Sequence, residues 1–224
     1  MEWRYYLLGR NSGGWIMAID KIQAEGINLA DTFAFTGTVS GAGTQELITS
    51  ANVTGDGSSS SIVVDNCFTS AYTAYRVLIW DMMNNNGTDA IEPRWLYRTG
   101  GGSGSDYTGS TYNARCVRGY SGHSTFETDN SSEAAFYTVG FSSTTIGSAD
   151  SNAGLLDFRI YNTNGSQVKC TWDYVADHSG ADADTIWNYG GGALSQTTPI
   201  TGFKFFSNSS KAFTHYRIRV FGIK

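Results

Sequence analysis

From about residue 61 onward, apolar and polar residues alternate in short runs separated by clusters of Gly, Ser, Asn and Asp. Period-two alternation of this kind is the signature of half-buried β-strands. Nine runs carry it, at 61–65, 74–82, 92–98, 111–120, 134–141, 154–162, 167–174, 200–207 and 214–223. In the last run Tyr216, Ile218 and Val220 point one way and Arg217, Arg219 and Phe221 the other, so the arginines face water or a neighbour. In 167–174 the same rule predicts Val168, Cys170, Trp172 and Tyr174 inside, with Lys169, Thr171 and Asp173 outside. Asn162-Thr163-Asn164-Gly165 predicts a turn joining two antiparallel neighbours. Runs of this number and length suit an antiparallel, two-sheet β-sandwich, an all-β fold.

The first 45 residues follow a different pattern. Trp3, Tyr5 and Tyr6 form a short aromatic patch with Leu7 and Leu8. A break at Asn11-Ser12-Gly13-Gly14 follows, and then a segment with Ile16, Ile19, Ile22 and Ile27 that continues into Phe33 and Phe35. The isoleucine spacing allows a helical turn or two, but Gly26 and the strand-like run after it exclude a long helix. A segment this small has no core of its own. It is expected to be an extended arm, residues 1–45, docking through Trp3, Tyr5, Tyr6, Ile19, Ile22, Phe33 and Phe35. Residues 46–60 read as a linker and 61–224 as the sandwich domain, and Met17 is a second candidate start. Several connections, among them the stretch around Gly190-Gly191-Gly192, read as long polar loops, where sandwiches commonly carry their interactions.

Composition narrows the classes. The 224 residues are 40% hydrophobic, 14% aromatic and only 16% charged, which fits a globular chain and not a disordered one. A net charge of −5 supplies no cationic footprint for a phosphate backbone, so nucleic acid is not an expected partner. No apolar stretch has the length of a signal peptide or a membrane span, so membrane insertion is not expected either. No repeat of fixed period is present, against propellers, β-helices and coiled-coil shafts. Cys67, Cys116 and Cys170 are widely spaced within strand-like runs, with no metal-ligand or disulfide spacing, and read as buried free thiols.

Catalytic chemistry is sparse. His123, His178 and His215 lack a nucleophile elbow or a helical metal-ligand spacing. Adjacent residues such as Asp177-His178-Ser179 cannot reach both ring nitrogens as a triad requires. Asp177, Asp182 and Asp184 could supply hard oxygen ligands for calcium, but they lack the EF-type glycine and closing glutamate and read as a solvated acidic loop instead. No cofactor, metal or catalytic set is assigned, and the chain is expected not to be an enzyme. Aromatic residues offer a different chemistry, because an indole or phenol face stacks on the apolar face of a pyranose. Trp187 and Tyr189, beside the three glycines, are the first candidates for a glycan platform, followed by Trp95, Tyr97 and Tyr107. Core or subunit-contact roles for the same rings stay open.

Three segments also share a family pattern: Asn66–Met82 with Tyr75-Arg76-Val77-Leu78-Ile79, then Ser105-Asp106-Tyr107 with Tyr112, then Ile200–Lys224 ending Phe221-Gly222-Ile223-Lys224. Together they resemble the C-terminal jelly-roll domain of virion structural proteins from tailed bacteriophages, marine and cyanobacterial phages in particular. The resemblance covers about residues 60–224 but not the stretch from about 122 to 192. Residues 17–43 are similar to the opening of phage fibre or decoration proteins. The resemblance implies a jelly-roll sandwich, a location in the virion, other virion proteins as partners and a homotrimeric state. It implies a capsid decoration or fibre subunit. The alternative is a tail-fibre or receptor-binding tip that recognises host surface glycans.

Overall fold

The computed structural model describes residues 45–84, 93–108, 112–121, 127–133, 135–137, 154–177, 185–196, 198–207 and 212–224. These belong to one compact unit, residues 43–224. The proposed arm residues Trp3, Tyr5, Tyr6, Ile19, Ile22, Phe33 and Phe35 lie outside the described residues, as do His123, His178, Asp182 and Asp184.

Thirteen strands are described: β1 (Gln45–Ser59), β2 (Ser61–Val64), β3 (Ala74–Asn84), β4 (Pro93–Thr99), β5 (Ser105–Asp106), β6 (Tyr112–Tyr120), β7 (Glu127–Glu133), β8 (Phe136–Tyr137), β9 (Gly154–Tyr161), β10 (Gln167–Asp177), β11 (Thr185–Ser195), β12 (Gly202–Ser207) and β13 (Phe213–Ile223). The only helical element among the described residues is a single 3-10 turn, Gly101–Ser103. The large sheet runs β1-β13-β3-β9-β10-β11-β6-β7, and the small sheet runs β2-β12-β4-β5 with β8 also paired to β4. Every described pairing is antiparallel. The described residues form an all-β, two-sheet sandwich.

Alternation in the sequence translates directly into the core. Val168, Cys170, Trp172 and Tyr174 are buried on β10, as are Ile218 and Val220 on β13. The turn after β9 forms as expected, with Gly165 N–H donating to the Asn162 carbonyl (3.1 Å). Its left-handed residue is Asn162 (φ 62°), a residue type that tolerates that region. The outward arginines find partners on the same face. Arg217 pairs with Asp81 (2.9 Å) and Arg219 lies over the Trp80 ring (5.3 Å). Asp81 itself is left-handed (φ 55°), where β3 slips register against both its neighbours.

Aromatic stacking holds the two sheets together. Phe203 (β12) stacks on Trp95 (β4) at 4.2 Å, Trp95 on Phe158 (β9) at 4.1 Å, and Phe158 on Trp172 (β10) at 5.7 Å, all within 9° of parallel. This column crosses from the small sheet to the large one, and each ring contact adds about 0.5–1.5 kcal/mol to the area it buries. It also decides between the two roles open to Trp95 and Tyr97: both are fully buried core residues and present no face to a ligand. On the outer side of the small sheet, Arg98 binds Asp65 (2.7 Å) and Asp106, and Lys204 binds Asp106 (2.9 Å), tying β4, β5 and β12 together.

Three segments differ from the sequence reading. Residues 46–60 are not a linker: β1 spans 45–59 and pairs along β13. Edge pairing supplies the hydrogen bonds that its Gly- and Ser-rich composition does not advertise. Two stretches that read from composition as polar loops, 121–133 and the one around Gly190-Gly191-Gly192, contain strands: Glu127–Glu133 form β7 and Thr185–Ser195 form β11.

Candidate functional site

The stretch Thr185–Ser195 contains three consecutive glycines, yet it is an eleven-residue strand paired on both sides, with β10 and with β6. The reason lies beneath it. A Cβ on Gly190 would fall 2.2 Å from Cζ2 of Trp172, and one on Gly192 would fall 2.5 Å from Cε1 of Phe136. Two large core rings therefore occupy the space that side chains would take, and only glycine allows both. Trp172 is anchored further by its indole N–H, which donates to Asn188 Oδ1 (2.9 Å) inside the core.

Strand parity then dictates the other face. With Ile186, Asn188 and Gly190 buried, Thr185, Trp187 and Tyr189 point outward. Trp187 is 40% and Tyr189 48% exposed. Both sequence candidates are therefore on an open surface, on a rigid strand and not on a loop. Tyr107, the remaining aromatic candidate, is half-buried and packs against the core.

The surroundings form a graded face on the large sheet. Trp187 stands opposite Val175, which stands opposite Leu155, so β11, β10 and β9 together present a row of exposed apolar side chains. In the adjacent row Tyr189 lies between Asp173 and Val117. One step further Gly191 lies between Thr171 and Arg115. Here the surface sinks into an open depression of about 490 Å³ bounded by Tyr189, Arg115, Val117, Thr128 and Thr171, with Gly191 in its floor. Small-molecule sites occupy about 300–1,000 Å³. No family model, curated protein or solved structure matches this chain.

Charge on this face is unevenly satisfied. Arg76 forms a two-pronged pair with Asp157 (2.8 and 3.0 Å), and the Asp157 hydrogen bond comes before the opposing effect of burial in pushing the Arg76 guanidinium above its ordinary value. Arg159 reaches the same carboxylate at 3.3 Å. The side chain of Arg115, exposed at the rim of the depression, has no ion-pair, hydrogen-bond or ring partner among the described residues.

The described residues hold no group of three or more His, Cys, Asp or Glu able to bind a metal. All three thiols are buried, and burial pushes those of Cys67 and Cys170 far above their ordinary value. Asp177 is the last residue of β10, and its companions in the acidic segment lie outside the described residues. What the face can do is bind: a flat phenol, an indole, a glycine floor and hydrogen-bonding groups are all held on strands. Sequence reasoning found Trp187 and Tyr189 through residue type. It missed Arg115 and Thr171 as neighbours of Gly191, because only strand pairing brings residues so distant in the chain into one row.

Proposed function

We propose that this chain is a non-enzymatic surface protein of a tailed-phage virion, a capsid decoration or fibre subunit. It docks through residues 1–45 and oligomerises, as a trimer, through its sandwich. The single observation that carries an adhesive role is the exposed apolar row Leu155–Val175–Trp187 across three rigid strands. Contiguous exposed apolar side chains bordered by charged ones are the material of contact surfaces.

The fold belongs to the same proposal. We infer a jelly roll, and the strand order supports it. Taking β1, β2, β3, β4, β5, β9, β12 and β13 as its eight strands in chain order, the large sheet contains first-eighth-third-sixth and the small sheet second-seventh-fourth-fifth. This is the interleaving that two nested Greek keys generate. Strands β6, β7, β10 and β11 then extend the large sheet beyond the roll, and they carry the depression. The resemblance in three segments of the chain supplies the phage assignment.

A second reading is favoured by Tyr189 and the depression beside it: a receptor-binding tip that recognises host surface glycans. Electron cryomicroscopy of purified particles carrying a tagged copy of the chain separates the two. Density on the capsid or along a fibre, with Trp187 and Tyr189 covered by neighbouring subunits, is the expected result for a structural subunit. A distal position with that face open to solvent is the expected result for the tip. Absence of the tagged chain from particles overturns both.

A further inference from the structure

Gly191 differs from the glycines on either side of it. Gly190 and Gly192 are required by Trp172 and Phe136, whose rings a Cβ would strike. A Cβ on Gly191 would meet the Cys170 carbonyl oxygen at 3.2 Å, a tight contact that asks a few tenths of an ångström of that strand, and Thr171 Cγ2 at an ordinary 3.7 Å. Its φ lies outside the left-handed region. Neither packing beneath nor backbone conformation demands glycine here, and β-branched or aromatic residues would favour the strand more. What the missing side chain does provide is the floor of the outer-face depression, between Arg115 and Thr171 and one pleat along from Tyr189.

The groups around this floor are mutually complementary to one kind of ligand. Tyr189, about half exposed, presents a ring on which the C–H face of a pyranose can stack. Thr171 and Thr128 offer hydroxyls to donate to or accept from a sugar's own. Arg115 adds a planar guanidinium with no side-chain partner among the described residues, whereas Arg76, Arg98, Arg159 and Arg217 are each committed to an aspartate and Arg219 to the Trp80 ring. A guanidinium fork matches a carboxylate geometrically, with two parallel N–H···O bonds. Lys169, exposed two residues along β10 from Thr171, is a second cation on this face with no ion-pair partner among the described residues. On a chain of net charge −5 the Arg115 side of the depression is therefore locally positive, while Asp173 stands on the other side of Tyr189.

We propose that the depression between β6, β10 and β11 binds a carboxylated pyranose, a uronic-type acid residue of a surface polysaccharide. The ring stacks on Tyr189 above Gly191 and the carboxylate is held by Arg115. Tyr189 and Arg115 are binding residues, and Gly191 decides whether the sugar fits. This inference rests on the glycan-recognition reading, to which it adds the class of sugar.

The test uses the full chain on an array printed with uronate- and nonulosonate-bearing oligosaccharides alongside neutral ones, followed by titration calorimetry on the hits up to about 1 mM. The expected result is binding to carboxylated glycans alone. Arg115→Gln and Tyr189→Ala should each weaken it at least about tenfold, about 1.4 kcal/mol. Tyr189→Phe should retain it, because the ring remains. Gly191→Val, which fills the floor and meets only the Cys170 carbonyl and Thr171 methyl beneath, should abolish binding while the melting transition stays within a few degrees of the parent's. Binding should also weaken as salt rises, since the pair with Arg115 is exposed. Binding to neutral glycans alone, or full binding by Arg115→Gln, overturns the carboxylate assignment and leaves glycan recognition standing. Full binding by both Gly191→Val and Tyr189→Ala moves the site elsewhere and overturns the inference. No binding to any printed glycan overturns glycan recognition together with the inference.

Discussion

Trp172 lies across Gly190, its direct partner in the β10–β11 register, with the indole filling the volume that a side chain at position 190 would need. The indole ends a column of stacked rings that begins at Phe203 in the other sheet. One cross-strand pair therefore transmits the packing of the core to the strand that carries the exposed aromatics. A large ring covering a glycine is a recognised way to pin strand register.

Gly190→Ala should destabilise the sandwich by about 1–3 kcal/mol, because the new methyl forces a buried, stacked ring out of its position. Gly191→Ala, one residue on, should stay within about 0.5 kcal/mol of the parent. Urea unfolding of the two variants in parallel checks the contrast. Equal effects would mean that the glycine run serves the backbone and not the Trp172 ring.

Trp172→Ala should cost about 3–5 kcal/mol, the range for truncating a fully buried large aromatic. Asn188→Ala should cost about 1–3 kcal/mol by leaving the buried indole N–H without its acceptor. Trp172→Phe should make the second loss disappear, since no N–H then remains. A double-mutant cycle by chemical denaturation measures the coupling.

Acid should loosen the small sheet. At Asp106, burial acts to raise the carboxyl pKa, but the Lys204 ammonium and the Arg98 guanidinium more than offset it and hold the group below its ordinary value. The folded form thus binds this proton less tightly than the unfolded chain. The stabilisation is complete above the ordinary carboxylate pKa of about 3.9 and is lost as pH falls through the lower folded value. Unfolding midpoints from about pH 7 to about pH 2 should fall in this window for the parent. Asp106→Asn should be less stable near neutrality and should converge with the parent in acid.

The thiols should be silent in the native state. Cys67, Cys116 and Cys170 are buried and in no disulfide, and a buried thiol pushed toward its neutral form, as at Cys67 and Cys170, is a poor nucleophile. An aromatic disulfide reagent should titrate no thiol in native buffer and all of them in denaturant. Rapid native labelling of Cys67 or Cys170 would contradict the packing described.

The arm and the sandwich should separate. Deleting residues 1–42 leaves the compact unit of residues 43–224 whole. That unit should keep its melting transition and β-type circular dichroism while no longer entering particles. Light scattering on the full chain should report three times 24.2 kDa. A purely monomeric full chain would contradict the proposed trimer.

Much of this architecture was legible residue by residue. On β10 and β13 the local alternation is clean, so period-two reading alone assigned the inner side chains and the sandwich class. The turn at Asn162–Gly165 was equally local, since Asn tolerates the left-handed conformation wherever it occurs. β1 was not legible. Its Gly- and Ser-rich segment becomes a strand only because β13, more than 150 residues away, offers its edge.

For β11 local hydrophobicity argues against what forms. In Ile186-Trp187-Asn188-Tyr189, burying Trp187 and Tyr189 and exposing Asn188 would bury more apolar surface, and a run of three glycines reads as a turn. The fold does the reverse. Trp172 and Phe136 need Gly190 and Gly192 beneath them, and the Trp172 indole needs Asn188, so both glycines and the asparagine take the inner face. The pleat has no freedom left, and the two large aromatics are turned out to solvent beside Gly191 and Arg115. Residue type alone named the platform. Only tertiary structure decided that it faces outward and which residues stand beside it, because side-chain parity along a strand is settled by whichever face has the more demanding neighbours.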